Sequence, residues 1–153
     1  MIKLENFEMD IPNYINSVFC LDNFSAFSVI IDGVEYKTSE HAFQALKFIK
    51  TDKKIYEMVK NSPSPYEARE LAHKYKLNRD PNWSDKKYEI MEFVLTQKAL
   101  QNDFVRDKLL ATKDVNMIED CGDDDDKDWG CGIDGTGQNN LGKIWMKIRS
   151  KLK

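Results

Sequence analysis

Apolar residues fall along this chain in two rhythms. Phe27 to Ile31 is a short apolar run closed by Asp32-Gly33, and Val34-Glu35-Tyr36 resumes it. Asp-Gly between strand-like segments is the strongest short-range hairpin signal, because both turn residues must take positive φ. Beyond it the period lengthens to that of a helix. Helices are predicted from Thr38 or Ser39 to about Lys50, over Lys53 to Lys60, and from the capping box Ser64-Pro65-Tyr66-Glu67 to about Tyr75. Ser84 is read as the cap of a long helix to Leu100 with Tyr88, Met91 and Leu95 on one face, and Asn102 as the cap of another ending near Ala111. Val115 to Ile118 reads as a short strand. Asp120 to Gly137 reads as a long loop, for it holds five of the seven glycines. A last helix from Leu141 to about Ser150 repeats apolar Leu141, Ile144, Trp145 and Ile148. These elements predict an α+β fold: one mostly helical domain over residues 1–153 with a small antiparallel sheet near the N-terminus.

Composition narrows the class. With 153 residues, 41% of them apolar and 32% charged, the chain has the make-up of a soluble globular domain and not of a fibrous or disordered one. No stretch approaches the roughly 18 apolar residues of a membrane span. The opening Met1-Ile2-Lys3-Leu4-Glu5 carries an acid where a secretion signal is apolar. Three cysteines (Cys20, Cys121, Cys131) without a Cys-x-x-Cys spacing argue for a reducing compartment. A cytoplasmic location is therefore expected. The net charge of −3 is unevenly spread: seven aspartates and one lysine between Asp120 and Asp134 carry −6, so the remainder carries +3. A mildly positive body beside an acidic loop can bind a phosphorylated ligand but is weak evidence for nucleic acid.

Chemistry has two places to sit. Glu40, Gln44 and Lys47 are spaced i, i+4, i+7 and share one helical face, opposite a stripe of Ala42, Ala45, Leu46 and Ile49. A solvated polar ladder fits that spacing. So does a reactive site, since Phe43 and Phe48 flank the face and Glu40 falls in the first turn, where backbone N–H groups favour an anion. The second place is the long loop. Glycines on both sides of Cys131 in Asp128-Trp129-Gly130-Cys131-Gly132 would let backbone approach a ligand. The run Gly135 to Gly142 leads into a helix whose N-terminal donors could hold a phosphate, or is a plain turn with Asn139 or Asn140 as the cap. Asp123 to Asp126 lack the glycine and glutamate of an EF-hand loop and read as solvated; with Lys127 they spell a protease recognition sequence. His41 and His73 lie on different helices, Cys121 and Cys131 match no zinc spacing, and no Gly-x-Ser-x-Gly occurs, so neither a metal site nor a triad is expected. Trp145 belongs on a core face. Trp83 and Trp129, beside Asn82 and Asp128, read as loop tryptophans suited to stacking on a base.

Taken in order, several blocks resemble the NADAR family, also called YbiA-like. They are Leu21-Asp22-Asn23-Phe24-Ser25, Thr38 to Phe48 with its Glu-His-Ala-Phe-Gln-Ala, Trp83-x-x-x-Lys87-x-x-x-Met91, Leu110-Ala111-Thr112, Asp128 to Gly132, and Gly137-Gln138-Asn139-x-Leu141-Gly142-Lys143. Leu71-Ala72-His73-Lys74 departs from the family's Leu-Gly-Arg. The resemblance implies an N-glycosidase that cleaves between a base nitrogen and the anomeric carbon of ribose. It implies ADP-ribosylated guanosine as substrate, with the phosphorylated ribosylamino-pyrimidines of riboflavin synthesis as the alternative and a non-catalytic reader of ADP-ribose as the competing class. The partner expected is a small nucleotide-type molecule, with ADP-ribosylated nucleic acid as an extension of it. Glu40, Lys47 and Asp128 are the catalytic residues so expected. Asn23, Phe24, His41, Gln44, Trp83, Trp129, Gly130 and Asn139 are the substrate contacts. No metal or organic cofactor is needed, because a carboxylate can stabilise the charge that builds on ribose, and a lysine can attack the anomeric carbon.

Overall fold

A computed structural model describes residues 1–5, 18–120, 122 and 124–153. They form two compact units, residues 1–22 with 102–153, and residues 23–101. Cys121 and Asp123 lie outside the described residues.

The second unit begins with the predicted hairpin. Strands β2 (Val29–Ile31) and β3 (Val34–Tyr36) pair antiparallel, Val29 opposite Tyr36 and Ile31 opposite Val34. Asp32 and Gly33 turn between them at φ 50° and 77°, the two left-handed residues that the right-handed twist of a tight hairpin demands. Four helices follow: α1 (Ser39–Leu46), α2 (Lys53–Lys60), α3 (Pro65–Lys74) and α4 (Trp83–Gln101). Side chains cap three of them, whereas Ser84, expected as the cap of the long helix, lies inside α4, which starts at Trp83. Thr38 accepts the His41 N–H, Asp52 that of Ile55, and Ser64 that of Glu67 with Pro65 at the first helical position. Helix α1 stops four residues short of the expected end. Phe48 N–H bonds Ala45 O three residues back, and the Lys47 carbonyl accepts the Asp80 N–H and so leaves the helical ladder. Ile49, predicted on the apolar stripe, consequently falls in a turn and is 49% exposed.

Helix α1 packs against α2, α3 and α4. An eight-residue helix with three neighbours has no side left for water, which is why all but its last residue are buried. Around it, Val29, Ile31, Tyr36, Ala42, Ala45, Phe48, Tyr56, Val59 and Val94 form one apolar cluster. The Tyr36 and Tyr56 hydroxyls meet within it at 2.7 Å, so neither buried oxygen is left unpaired.

The first unit holds a pairing absent from the sequence reading. β1 (Ile2–Leu4) lies antiparallel to β4 (Met117–Glu119), Ile2 opposite Glu119. The same unit holds helix α5 (Asp103–Ala111) and the final helix α6 (Asn140–Leu152). Trp145 is fully buried, as its place on the apolar face predicts, and donates its indole N–H to Leu21 O at 3.0 Å. Arg149, also buried, is satisfied by Thr112 Oγ1 and Val115 O, each at 2.8 Å.

Candidate active site

The polar face of α1 is not a solvated ladder. Glu40 is 5% exposed and Gln44 6%. Gln44 Nε2 donates to Glu40 Oε1 at 2.7 Å, one helical turn apart, so the amide holds the carboxylate in a defined orientation. Asn23 fastens the front of the helix. Its backbone carbonyl accepts the Glu40 N–H at 3.1 Å and the Ser39 hydroxyl at 3.2 Å.

Lys47 stands at the C-terminal cap of the same helix. Its ammonium lies 5.3 Å from the Phe43 ring centroid and 5.6 Å from that of Trp83. These two rings pack at 5.1 Å with a 59° tilt. Burial among them is the main reason the lysine pKa falls to about 8; Glu40 opposes the fall, and the positive charges of Arg79 and Lys87 add to it. A primary amine of this kind is available as a nucleophile, because the neutral form is no longer rare at neutral pH.

The two tryptophans part company. Trp83 is no loop residue: it opens α4 and is 3% exposed, buried by its packing on Phe43. An open stacking platform is therefore corrected to a wall that supports Lys47. Trp83 also borders a cavity of about 370 Å³ floored by Leu46, Ile49, Ile90 and Phe93; Glu40, Gln44 and Lys47 do not line it. Trp129 in the other unit is half-buried.

His41 requires correction as a substrate contact. It is 1% exposed, and its Nδ1 meets Thr38 Oγ1 at 2.9 Å while Nε2 meets Ser62 O at 3.2 Å. Burial lowers its pKa against the Ser62 carbonyl, which raises it, and so favours the neutral ring, in which Nε2–H donates to Ser62 O and Nδ1 accepts from the Thr38 hydroxyl. With both nitrogens engaged, His41 ties α1 to the chain after α2. Phe24 is half-buried under the Arg69 guanidinium, 5.7 Å from the ring centroid.

In the first unit the long loop is knitted to itself. Asp126 Oδ1 accepts the N–H groups of Asp128 and Trp129, each at 2.9 Å, and Asp125 Oδ1 that of Ile133 at 3.0 Å. The aspartate run is thus partly structural and not merely solvated. The phosphate cradle expected at the start of α6 is corrected as well. The N–H groups of Asn140 and Leu141 already bond Asp128 O and Trp129 O. Asn139 spends its side chain on β4, Oδ1 accepting the Glu119 N–H and Nδ2 donating to Met117 O, each at 2.9 Å. Gly130 is buried, and its carbonyl accepts the Asn139 N–H. Asp128 is half-buried, with Oδ1 taking the Asn140 amide at 3.1 Å.

Lys98 escaped the sequence reading. It is fully buried on α4, donates to Ser25 Oγ at 2.8 Å and lies 3.5 Å from Ser39 Oγ. The signal was present: Lys98 follows Met91 by seven positions on the apolar face of α4, where a lysine has to be held by a polar partner.

The NADAR domain family matches residues 8–153. N-glycosidase YbiA of Escherichia coli strain K12 is 35% identical over 130 residues, 85% of this chain and 79% of that one. An N-glycosidase of Nostoc punctiforme is 33% identical over 137 residues, covering 88% and 85%. A riboflavin biosynthesis protein of Vibrio vulnificus is 35% identical over 133 residues; the match covers 87% of this chain but only 35% of that protein's length. Among solved structures, the NMR structure of Escherichia coli YbiA superposes with a TM-score of 0.77 at 34% identity, over 87% of this chain and 77% of that one. The chain belongs to the NADAR domain family.

Proposed function

We propose that this chain is an N-glycosidase that cleaves the bond between a base nitrogen and the anomeric carbon of a ribose, acting on ADP-ribosylated guanosine. The observation that carries the reading is the pairing on one short helix of a buried, amide-held carboxylate, Glu40, with an amine brought down to about 8, Lys47. Mere binding of a nucleotide requires neither. Departure of the base leaves positive charge on the ribose, and a carboxylate fixed beside that carbon stabilises it without reorganising. Lys47 offers a covalent route. Its neutral amine attacks the anomeric carbon, the carbon–nitrogen bond breaks, and the electron pair leaves with the base, which takes up a proton. The opened sugar then forms a Schiff base, which water hydrolyses to return the amine. Water attack assisted by Glu40 is the alternative route.

The names of two relatives favour a second substrate. The Vibrio vulnificus protein and one from Zea mays are both called riboflavin biosynthesis proteins. Phosphorylated ribosylamino-pyrimidines contain the same type of scissile bond. The test is incubation with ADP-ribosylated guanosine and, separately, with the ribosylamino-pyrimidine phosphate. Release of ADP-ribose or of free pyrimidine identifies the substrate, and release from neither rejects the reading. Borohydride added during turnover leaves a sugar adduct on Lys47 by the covalent route and an unchanged protein mass by the water route.

A further inference from the structure

Gln44 carries a polar atom that the fold leaves unanswered. The residue is 6% exposed, and its Oε1 has no hydrogen-bond partner among the described residues. Reversing the amide does not remove the problem. It would set two acceptor oxygens against each other at the 2.7 Å that now separates Nε2 from Glu40 Oε1. Glu40 therefore dictates that the carbonyl points away from it, and a buried carbonyl without a donor is a standing cost that native folds rarely accept without a function.

We propose that Gln44 Oε1 accepts a hydrogen bond from the ribose hydroxyl on the carbon next to the anomeric carbon, and that Gln44 is thereby the residue that distinguishes ribose from 2-deoxyribose. The inference rests on the glycosidase reading, which puts the anomeric carbon against Glu40. Gln44 lies one helical turn beyond Glu40 and three residues before Lys47, so the three residues share one face. The ligand group next to the reacting carbon is that hydroxyl, a donor. Hydrogen bonds to this hydroxyl strengthen in glycosidic transition states, so the same amide orients the carboxylate through Nε2 and the sugar through Oε1.

The test uses two simple sugars and the intact protein. Ribose 5-phosphate and 2-deoxyribose 5-phosphate are titrated into the parent and into Gln44→Met, which keeps the length of the side chain and removes both polar atoms. The parent should favour ribose 5-phosphate by about ten- to hundredfold, and Gln44→Met should bring the ratio close to one. Equal binding of both sugars by the parent overturns the proposal without any variant, so misfolding of Gln44→Met cannot shelter it. An undiminished preference in a folded Gln44→Met overturns it too, since a merely structural glutamine would weaken both sugars alike. Turnover separates the two claims. A parent that discriminates between the sugars, with the preference lost in Gln44→Met, yet releases no base from either nucleotide substrate keeps the Gln44 contact and loses the glycosidase.

Discussion

In the proposed reaction Glu40 and Lys47 do different chemistry on one short helix, and charge separates the two roles. Glu40→Gln keeps the shape and the hydrogen-bonded partner Gln44 but removes the charge. Turnover should fall by roughly 10²–10³ while substrate still binds, the usual value of one oriented charge at such a site. Steady-state rates on the cleaved substrate together with calorimetric binding check this, and an unchanged rate ends the role of Glu40. Lys47 is read through pH. With its pKa at about 8, against an ordinary 10.5, about a tenth of the amine is neutral at pH 7, compared with a few parts in ten thousand for an ordinary lysine. By the covalent route the rate should rise with pH until about 8 and then level off. Lys47→Arg, which stays protonated, should abolish both that limb and the borohydride adduct. A limb that survives in Lys47→Arg belongs to another group.

The elements were legible where local chemistry decides them. The Asp32-Gly33 hairpin, α2 and the Ser64-Pro65 helix start follow from turn and cap residues acting on their own neighbours. The reading failed where a distant partner decides. The end of α1 is set by Asp80 taking the Lys47 carbonyl, β1 exists because β4 lies beside it, and Trp83 is buried by Phe43, forty residues earlier in the chain. The face carrying Glu40, Gln44 and Lys47 could be read from spacing, but its burial could not, because that depends on α2, α3 and α4 closing around α1. The glycine-rich approach to α6 misled for the same reason: its donors are filled by carbonyls of Asp128 and Trp129. Asn139 tests this at the level of the element. Asn139→Ala leaves the Glu119 N–H and the Met117 carbonyl without a partner and removes a residue that tolerates its φ of 52°. Stability should drop by about 1–3 kcal/mol in denaturant titration. The activity of the protein that remains folded should not change. Selective loss of substrate affinity would restore the phosphate role.

For the molecule as a whole, one carboxylate sets how stability responds to mild acid. Burial raises the Glu119 pKa to about 7, even though its Oε1 takes the Met1 ammonium at 2.8 Å. The folded state therefore binds this proton more tightly than the unfolded chain, whose value stays near 4.5. The contribution is complete below about pH 4.5 and is lost as pH rises through 7. Melting temperatures of the parent and of Glu119→Gln should nearly coincide at the acid end and diverge in favour of the variant by neutral pH. Parallel curves would show that Glu119 is not the group responsible. The self-knitted loop has a consequence of another kind. Asp123 to Lys127 spell a cleavage sequence, yet the Lys127 carbonyl is bonded to the Gln138 N–H at 2.7 Å and its ammonium to Asp134 at 2.7 Å. A protease needs that stretch extended and loose in its own groove, so the scissile bond is presented only when the loop opens. When closing outpaces cutting, the rate of nicking measures the fraction of molecules whose loop is open. The chain thus carries a built-in gauge of local unfolding, readable on a gel without any label.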